Sequence, residues 1–466
     1  MVILKTLTVR ISFILESCQK YQYPSTIYIK YEINYRRSTN NLINHLLIFF
    51  GFLLILVTPH YVFAGDKFAD TEFTEEGKPK ILDTNLEINT IVEGLNTPTT
   101  MAFIGKDDIL VLEKDSGIVK RIVNGTVLSK PVLDIHVANS VERCLCGIAV
   151  SKVESTTYVF LYYTEIEGPD GSDKKGIEPI GNRVYRYELS GESLTNPLLL
   201  MDLPANPGPR HNGGDITIGP DNNLYVTIGD VDGSFKESNT ETKTQNYEDG
   251  VDPDGRGGIL RITQDGQPTD GILGDSVPLS IYYAYGIRNS FGIDFDPISG
   301  NLWDTENGPG NGDELNLVYP GFNSGWQQVQ GLASMEDSFS ESDLVDFDGN
   351  GRYGDPKLVW VNTAGPTAVK FLDSTRLGDN YENNMFVGDV HNGRIYHFEL
   401  TPDREDIILP VELSSRVIED PSSPGVSDIV FGEGFGGITD LEVGPDGNLY
   451  VVSIGLGSIF QIGPKS

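Results

Sequence analysis

His211 stands in Gly208-Pro-Arg-His-Asn-Gly-Gly-Asp215. An imidazole titrates near neutrality, so a histidine held at the mouth of a cleft can act as a general base. In a loose loop the same residue is only a solvated side chain. Two acidic segments carry a different chemistry. Trp303-Asp-Thr-Glu-Asn-Gly-Pro-Gly-Asn-Gly-Asp-Glu314 reads as a strand followed by a Gly-rich loop holding Glu306, Asp313 and Glu314. Asp346-Phe-Asp-Gly-Asn-Gly351 puts Asp346, Asp348 and Asn350 at positions 1, 3 and 5 of a calcium loop, with glycine at position 6. Position 12 is Lys357 rather than Glu, so this is not a full EF-hand loop; Asp355 is the candidate to substitute for it. The expectation is calcium at Asp346, Asp348 and Asn350, with a solvated acidic turn as the alternative. Cys144 and Cys146 lie two apart in Arg-Cys-Leu-Cys-Gly. A disulfide across that spacing on a regular strand would be strained, so two small buried thiols are expected rather than a metal or redox pair.

These residues need elements to hold them, and repeats supply those elements. Gly219-Pro-Asp-Asn-Asn-Leu-Tyr-Val226 and Gly444-Pro-Asp-Gly-Asn-Leu-Tyr-Val451 differ at one position. Each follows an alternating apolar stretch, Asp215-Ile-Thr-Ile218 and Asp440-Leu-Glu-Val443. Ile293-Asp-Phe-Asp-Pro-Ile-Ser-Gly-Asn-Leu-Trp303 is a third copy. Strand, tight turn, strand is a β-hairpin. The gap from Pro297 to Pro445 is roughly twice that from Pro220 to Pro297. It places a degenerate copy at Ala368-Val-Lys-Phe371 and Asn384-Met-Phe-Val387. The same period run backwards finds Gly147–Val150 with Tyr158–Tyr162, and Thr100–Phe103 with Ile109–Leu112. Six hairpins cannot each bury both faces alone, and radial stacking buries them. The fold expected is therefore all-β: a six-bladed β-propeller over 65–466, with Leu86–Val92 completing the last blade. Its axial funnel receives the loops before each inner strand, including Val141–Gly147, Gly208–Asp215 and Tyr285–Gly292.

Residues 1–64 stand apart. A long basic and polar stretch leads to an apolar run, Leu46–Val57, and then to Val62-Phe-Ala64. This reads as a signal peptide cleaved after Ala64, with a doubtful upstream extension, or else as an N-terminal anchor. Either places the remainder outside the cytoplasm: secreted, or at the membrane if the segment is retained. The full chain has 34 Lys+Arg against 67 Asp+Glu and a formal charge of −33. Such a surface repels phosphate backbones and excludes nucleic-acid binding. Three cysteines exclude a disulfide scaffold.

Taken together, Pro209-Arg-His211, Tyr285-Gly-Ile-Arg-Asn289, Thr305-Glu-Asn-Gly-Pro309, Asp313-Glu-Leu-Asn316 and Gly325-Trp326 resemble the glucose/sorbosone dehydrogenase family in matching order. These are six-bladed propellers similar to soluble quinoprotein glucose and aldose sugar dehydrogenases. The resemblance implies pyrroloquinoline quinone in the funnel, polarised by calcium. It implies His211 as the base for a sugar hydroxyl, with hydride passing to the quinone and on to an external electron acceptor. Arg288 is implied to stabilise charge on the quinone oxygen. Glu142, Asn289 and His391 are implied to contact the cofactor, and Glu306 to align with a calcium ligand. The family pattern also has a Lys where this chain has His391, and an Arg-x-Arg-Asp where it has Gly437-Ile-Thr-Asp440. Two other functions fit a six-bladed scaffold: a binding propeller without catalysis, and a calcium-dependent sugar lactonase.

Overall fold

The computed structural model describes residues 11–14, 28–31, 78–231, 240–336 and 338–465. The chain divides into two compact units, Met1–Gly65 and Asp66–Ser466. In the first, Ile11–Ile14 pairs antiparallel with Tyr28–Tyr31. The apolar run and the cleavage position at Ala64 lie outside the described residues.

The second unit contains six sheets. Their innermost strands are Pro98–Gly105, Leu145–Val153, Ile216–Ile218, Ser290–Phe295, Pro366–Phe371 and Ile438–Val443. Each lies against the next, and the last returns to the first, so the sheets close as a six-bladed propeller.

The hairpin residues explain themselves. In blade three the Gly219 N–H donates to Asn223 O at 2.9 Å, and Asp221 accepts from the Asn223 N–H and the Tyr225 hydroxyl. Blade six repeats the set with Gly444, Asp446, Asn448 and Tyr450. Asn222 and Gly447 hold the same left-handed position, at φ 63° and 79°. That conformation explains why asparagine and glycine exchange there.

Leu86–Val92 pairs with Ser458–Pro464 as the outer strand of blade six, as the sequence predicts. Lys80–Ile81 does the same for blade five against Val430–Glu433, which two residues give no pattern to announce. Polar side chains then stitch neighbouring inner strands together. Asp215 accepts the Ile293 N–H, Asp294 that of Phe371, and Asp440 that of Met101, each at 2.8 Å.

Two local expectations are corrected. Asp313 and Glu314 begin a strand, Asp313–Val318, and Glu306 ends another, Leu302–Glu306. Glu306 pairs directly with Glu314, so only residues 307–312 form the loop. Cys144 and Cys146 are joined in a disulfide, not left as thiols. A register shift between Leu145 and Gly147 breaks the regular alternation there. The two Cα atoms stand 5.1 Å apart, within disulfide range.

Candidate active site

At the end of three second strands, or two residues beyond it in blade three, a carboxylate grips the chain entering the first strand of the same blade. Glu113 accepts the Asn96 N–H at 2.7 Å, and Glu306 the Arg288 N–H at 2.7 Å. In blade three the acid is Asp230, and what it holds is the His211 ring, with Oδ1 2.6 Å from Nδ1. An ionised aspartate only accepts, so Nδ1 is the donor of this pair and Nε2 is the nitrogen left for another partner. The Trp326 indole N–H donates to the other Asp230 oxygen at 2.9 Å, and the Asp230 N–H donates to Arg288 O. The carboxylate is therefore held by two side chains and its main chain by a third contact, and His211 is only 3% exposed.

Glu142 completes the group. Its Oε2 accepts the His211 N–H at 2.6 Å and lies 3.3 Å from Asn289 Nδ2. Its own N–H donates to Pro209 O. Val141, His211 and Val231 all have φ 56°. Left-handed backbone is unfavourable for a non-glycine residue and more so for valine. Three such residues beside Glu142, Asp230 and His211 store strain where the surroundings hold it.

Arg288 is buried. Burial lowers its pKa, opposed by the carboxylates of Asp230, Glu142, Glu306 and Asp313. One terminal nitrogen donates to Asn307 O and Gly308 O at 2.7 and 2.8 Å. The guanidinium carbon lies 5.4 Å from the Trp326 ring centroid. Its Nε has no hydrogen-bond partner, and neither has Asn289 Oδ1.

Glu306 is fully buried, and Ser324 Oγ reaches it at 2.6 Å and Glu314 at 3.1 Å. Burial, then the charges of Glu314 and Asp304, push the Glu306 carboxyl well above its usual range. Burial pushes Glu314 to about 8 and Asp304 to about 7. Asp346, Asp348 and Asn350 occupy an exposed turn before the edge strand Arg352–Tyr353 of blade three. Among the described residues no group of three His, Cys, Asp or Glu is placed to hold a metal ion. His391 is exposed on blade five, its Nδ1 3.3 Å from Thr363 O.

The structure thus links His211, Glu142, Asn289, Arg288 and Glu306 by hydrogen bonds. Among the described residues His391 and the 346–350 turn make no direct hydrogen bond to this group; His391 reaches it only through Thr363 and Asp313. Asp230 and Trp326 are the residues that sequence reasoning missed. A central cavity adjoins the group: Glu142 lines it, together with inner-strand residues such as Gly214, Thr367 and Thr439.

The family model for Glucose / Sorbosone dehydrogenase matches residues 95–458. Quinoprotein glucose dehydrogenase B of Acinetobacter calcoaceticus is 30% identical over 277 residues, covering 57% of this chain and 57% of that protein. Aldose sugar dehydrogenase YliI of Escherichia coli K12 is 23% identical over 390 residues, covering 82% and 94%. The PQQ-bound form of aldose sugar dehydrogenase from Streptomyces coelicolor shares the fold, with a TM-score of 0.56 and 23% identity, covering 84% of this chain and 99% of that one. A match running through all six blades places this chain in the Glucose / Sorbosone dehydrogenase family.

Proposed function

We propose that the protein oxidises a sugar hydroxyl by hydride transfer to pyrroloquinoline quinone, with His211 as the general base. The observation that carries this reading is the His211–Asp230 pair, locked from behind by Trp326 and Arg288. Asp230 fixes the tautomer and stabilises the imidazolium that forms when Nε2 takes the hydroxyl proton. Removing that proton raises electron density on the sugar oxygen and loosens the adjacent C–H bond as a hydride.

The residues present fit the quinone's polar edge. Arg288 Nε and Asn289 Oδ1 are buried and unpartnered, one a donor and one an acceptor. Such atoms cost free energy unless a polar ligand satisfies them. When bound, the quinone supplies the two-electron acceptor that no side chain offers. Arg288 stabilises negative charge beside it, and Glu142 and Asn289 hold the His211 main chain and the funnel wall in register. The relatives named as quinoprotein glucose dehydrogenase and aldose sugar dehydrogenase support the assignment.

The residues do not fit a ready-made calcium site. Both Glu306 oxygens face protein donors, and Asp346, Asp348 and Asn350 are not joined to it.

A location outside the cytoplasm belongs to the same proposal, supported by the leader-like sequence of residues 46–64 and by the Cys144–Cys146 disulfide. One observation favours a second reading, a propeller that binds without turnover: Thr439 lines the cavity where the family pattern has an arginine, and His391 makes no direct hydrogen bond to the His211 group. Titration of pyrroloquinoline quinone followed by aldose-dependent dye reduction separates the two. Quinone binding with turnover supports the dehydrogenase; carbohydrate binding with neither supports the binder.

A further inference from the structure

We propose that Cys144–Cys146 is a thiol-exchange site opening onto the axial cavity, and that its redox state sets how firmly Glu142 holds the His211 main chain. The bond joins residues two apart. It therefore closes almost no loop in the unfolded chain and adds little of the entropy by which disulfides stabilise folds. The strand it belongs to is already fixed by its ladder with Thr156–Ile166. Both cysteines line the cavity, with Cys144 buried and Cys146 half-buried. Lys114 lines it too, and its Nζ donates to Arg143 O, the carbonyl just before Cys144, at 3.2 Å. The ammonium also pairs with Asp115 at 3.0 Å, and as a cation on the cavity wall it favours a departing thiolate.

The exchange balances with an external thiol as reductant. A thiolate attacks Cys146 Sγ, the S–S bond breaks and Cys144 leaves as thiolate. A second external thiolate attacks the outer sulfur of the mixed disulfide and frees Cys146. The two electrons come from the external thiols, which leave as a disulfide, and the cysteine thiolates take protons from water.

The consequence runs through two contacts. Glu142 lies two residues before Cys144 and accepts the His211 N–H. Cys146 presses on the loop from the other side: a methyl group on Gly214 would meet Cys146 Cβ at 2.4 Å. Unbonded sulfurs stand farther apart than bonded ones, so reduction pushes against Gly214 and loosens the segment that carries Glu142.

The test uses the full chain under native conditions and needs no turnover. Dithiothreitol treatment is followed by iodoacetamide labelling, mass spectrometry of the peptide containing 144–146, and amide exchange over residues 209–214. The expected result is labelling of both cysteines with circular dichroism unchanged. Exchange at His211 should rise by about tenfold or more while the Leu449–Ser453 strand stays protected. A Cys144→Ser/Cys146→Ser double variant should match the reduced protein and ignore dithiothreitol; should it not fold, the wild-type arm decides alone. Labelling without reductant, labelling only on unfolding, or reduction without faster exchange at His211 would each overturn the proposal.

Discussion

His211 and Asp230 divide one task. In the proposed reaction the histidine moves the proton, and the aspartate decides which ring nitrogen is free to do so. Asp230→Asn keeps the volume and removes the charge. Turnover should fall by about 10²–10⁴-fold with substrate KM little changed, read by steady-state kinetics on the quinone-loaded protein. His211 was legible because glycines surround it at a strand entrance. Asp230 was not, although the repeats carry an acid at or just beyond the end of the second strand at Glu113, Asp230, Glu306 and Asp389. What each acid holds depends on the loop folded over it, and that is a tertiary fact. The same gap explains Glu306: its acidity reads as a ligand, while its register places it under the Arg288 N–H.

At the level of elements, turn chemistry made the blades readable. Pro, Asp, Asn and Gly recur because each makes a specific hydrogen bond or adopts a left-handed φ. The third strand of blade four escaped because it opens with two acids, which look like loop until their burial is seen. The disulfide escaped because a bulge, invisible in sequence, resets the spacing of its cysteines. Leu86 is buried in the strand that completes blade six. Leu86→Ala should cost about 2–4 kcal/mol, measured by urea unfolding. Asp215 ties blade three to blade four, and burial raises its carboxyl from 3.8 to about 7. The folded chain therefore keeps a proton there that the unfolded chain gives up. This residue leaves stability unaffected below about pH 4, lowers it as pH rises towards 7, and adds no slope above that. Asp215→Asn, which still offers Ile293 an oxygen, should flatten that part of the curve of thermal midpoint against pH.

Over the whole molecule the ring depends on residues far apart in sequence. Lys80–Ile81 and Leu86–Val92 complete two sheets whose other strands come from the end of the chain. The circle was legible from periodicity alone, since repeated amphipathic hairpins have few other ways to bury both faces. In the proposed reaction the charge of −33 bears on the partner that would remove electrons. A field of that sign draws cations and repels anions until salt screens it. A cationic phenazinium acceptor should outpace ferricyanide at low ionic strength, with the gap narrowing as salt is added.

The central claim is that His211 removes the sugar proton beside a bound quinone. The direct measurement is aldose-dependent dye reduction by the wild-type chain and by His211→Ala, each first titrated with pyrroloquinoline quinone. The account predicts quinone binding by both proteins and turnover by the wild type, with a loss of about 10²–10⁴-fold in the variant. Undiminished turnover in the variant, or no quinone binding by the wild type, would contradict it.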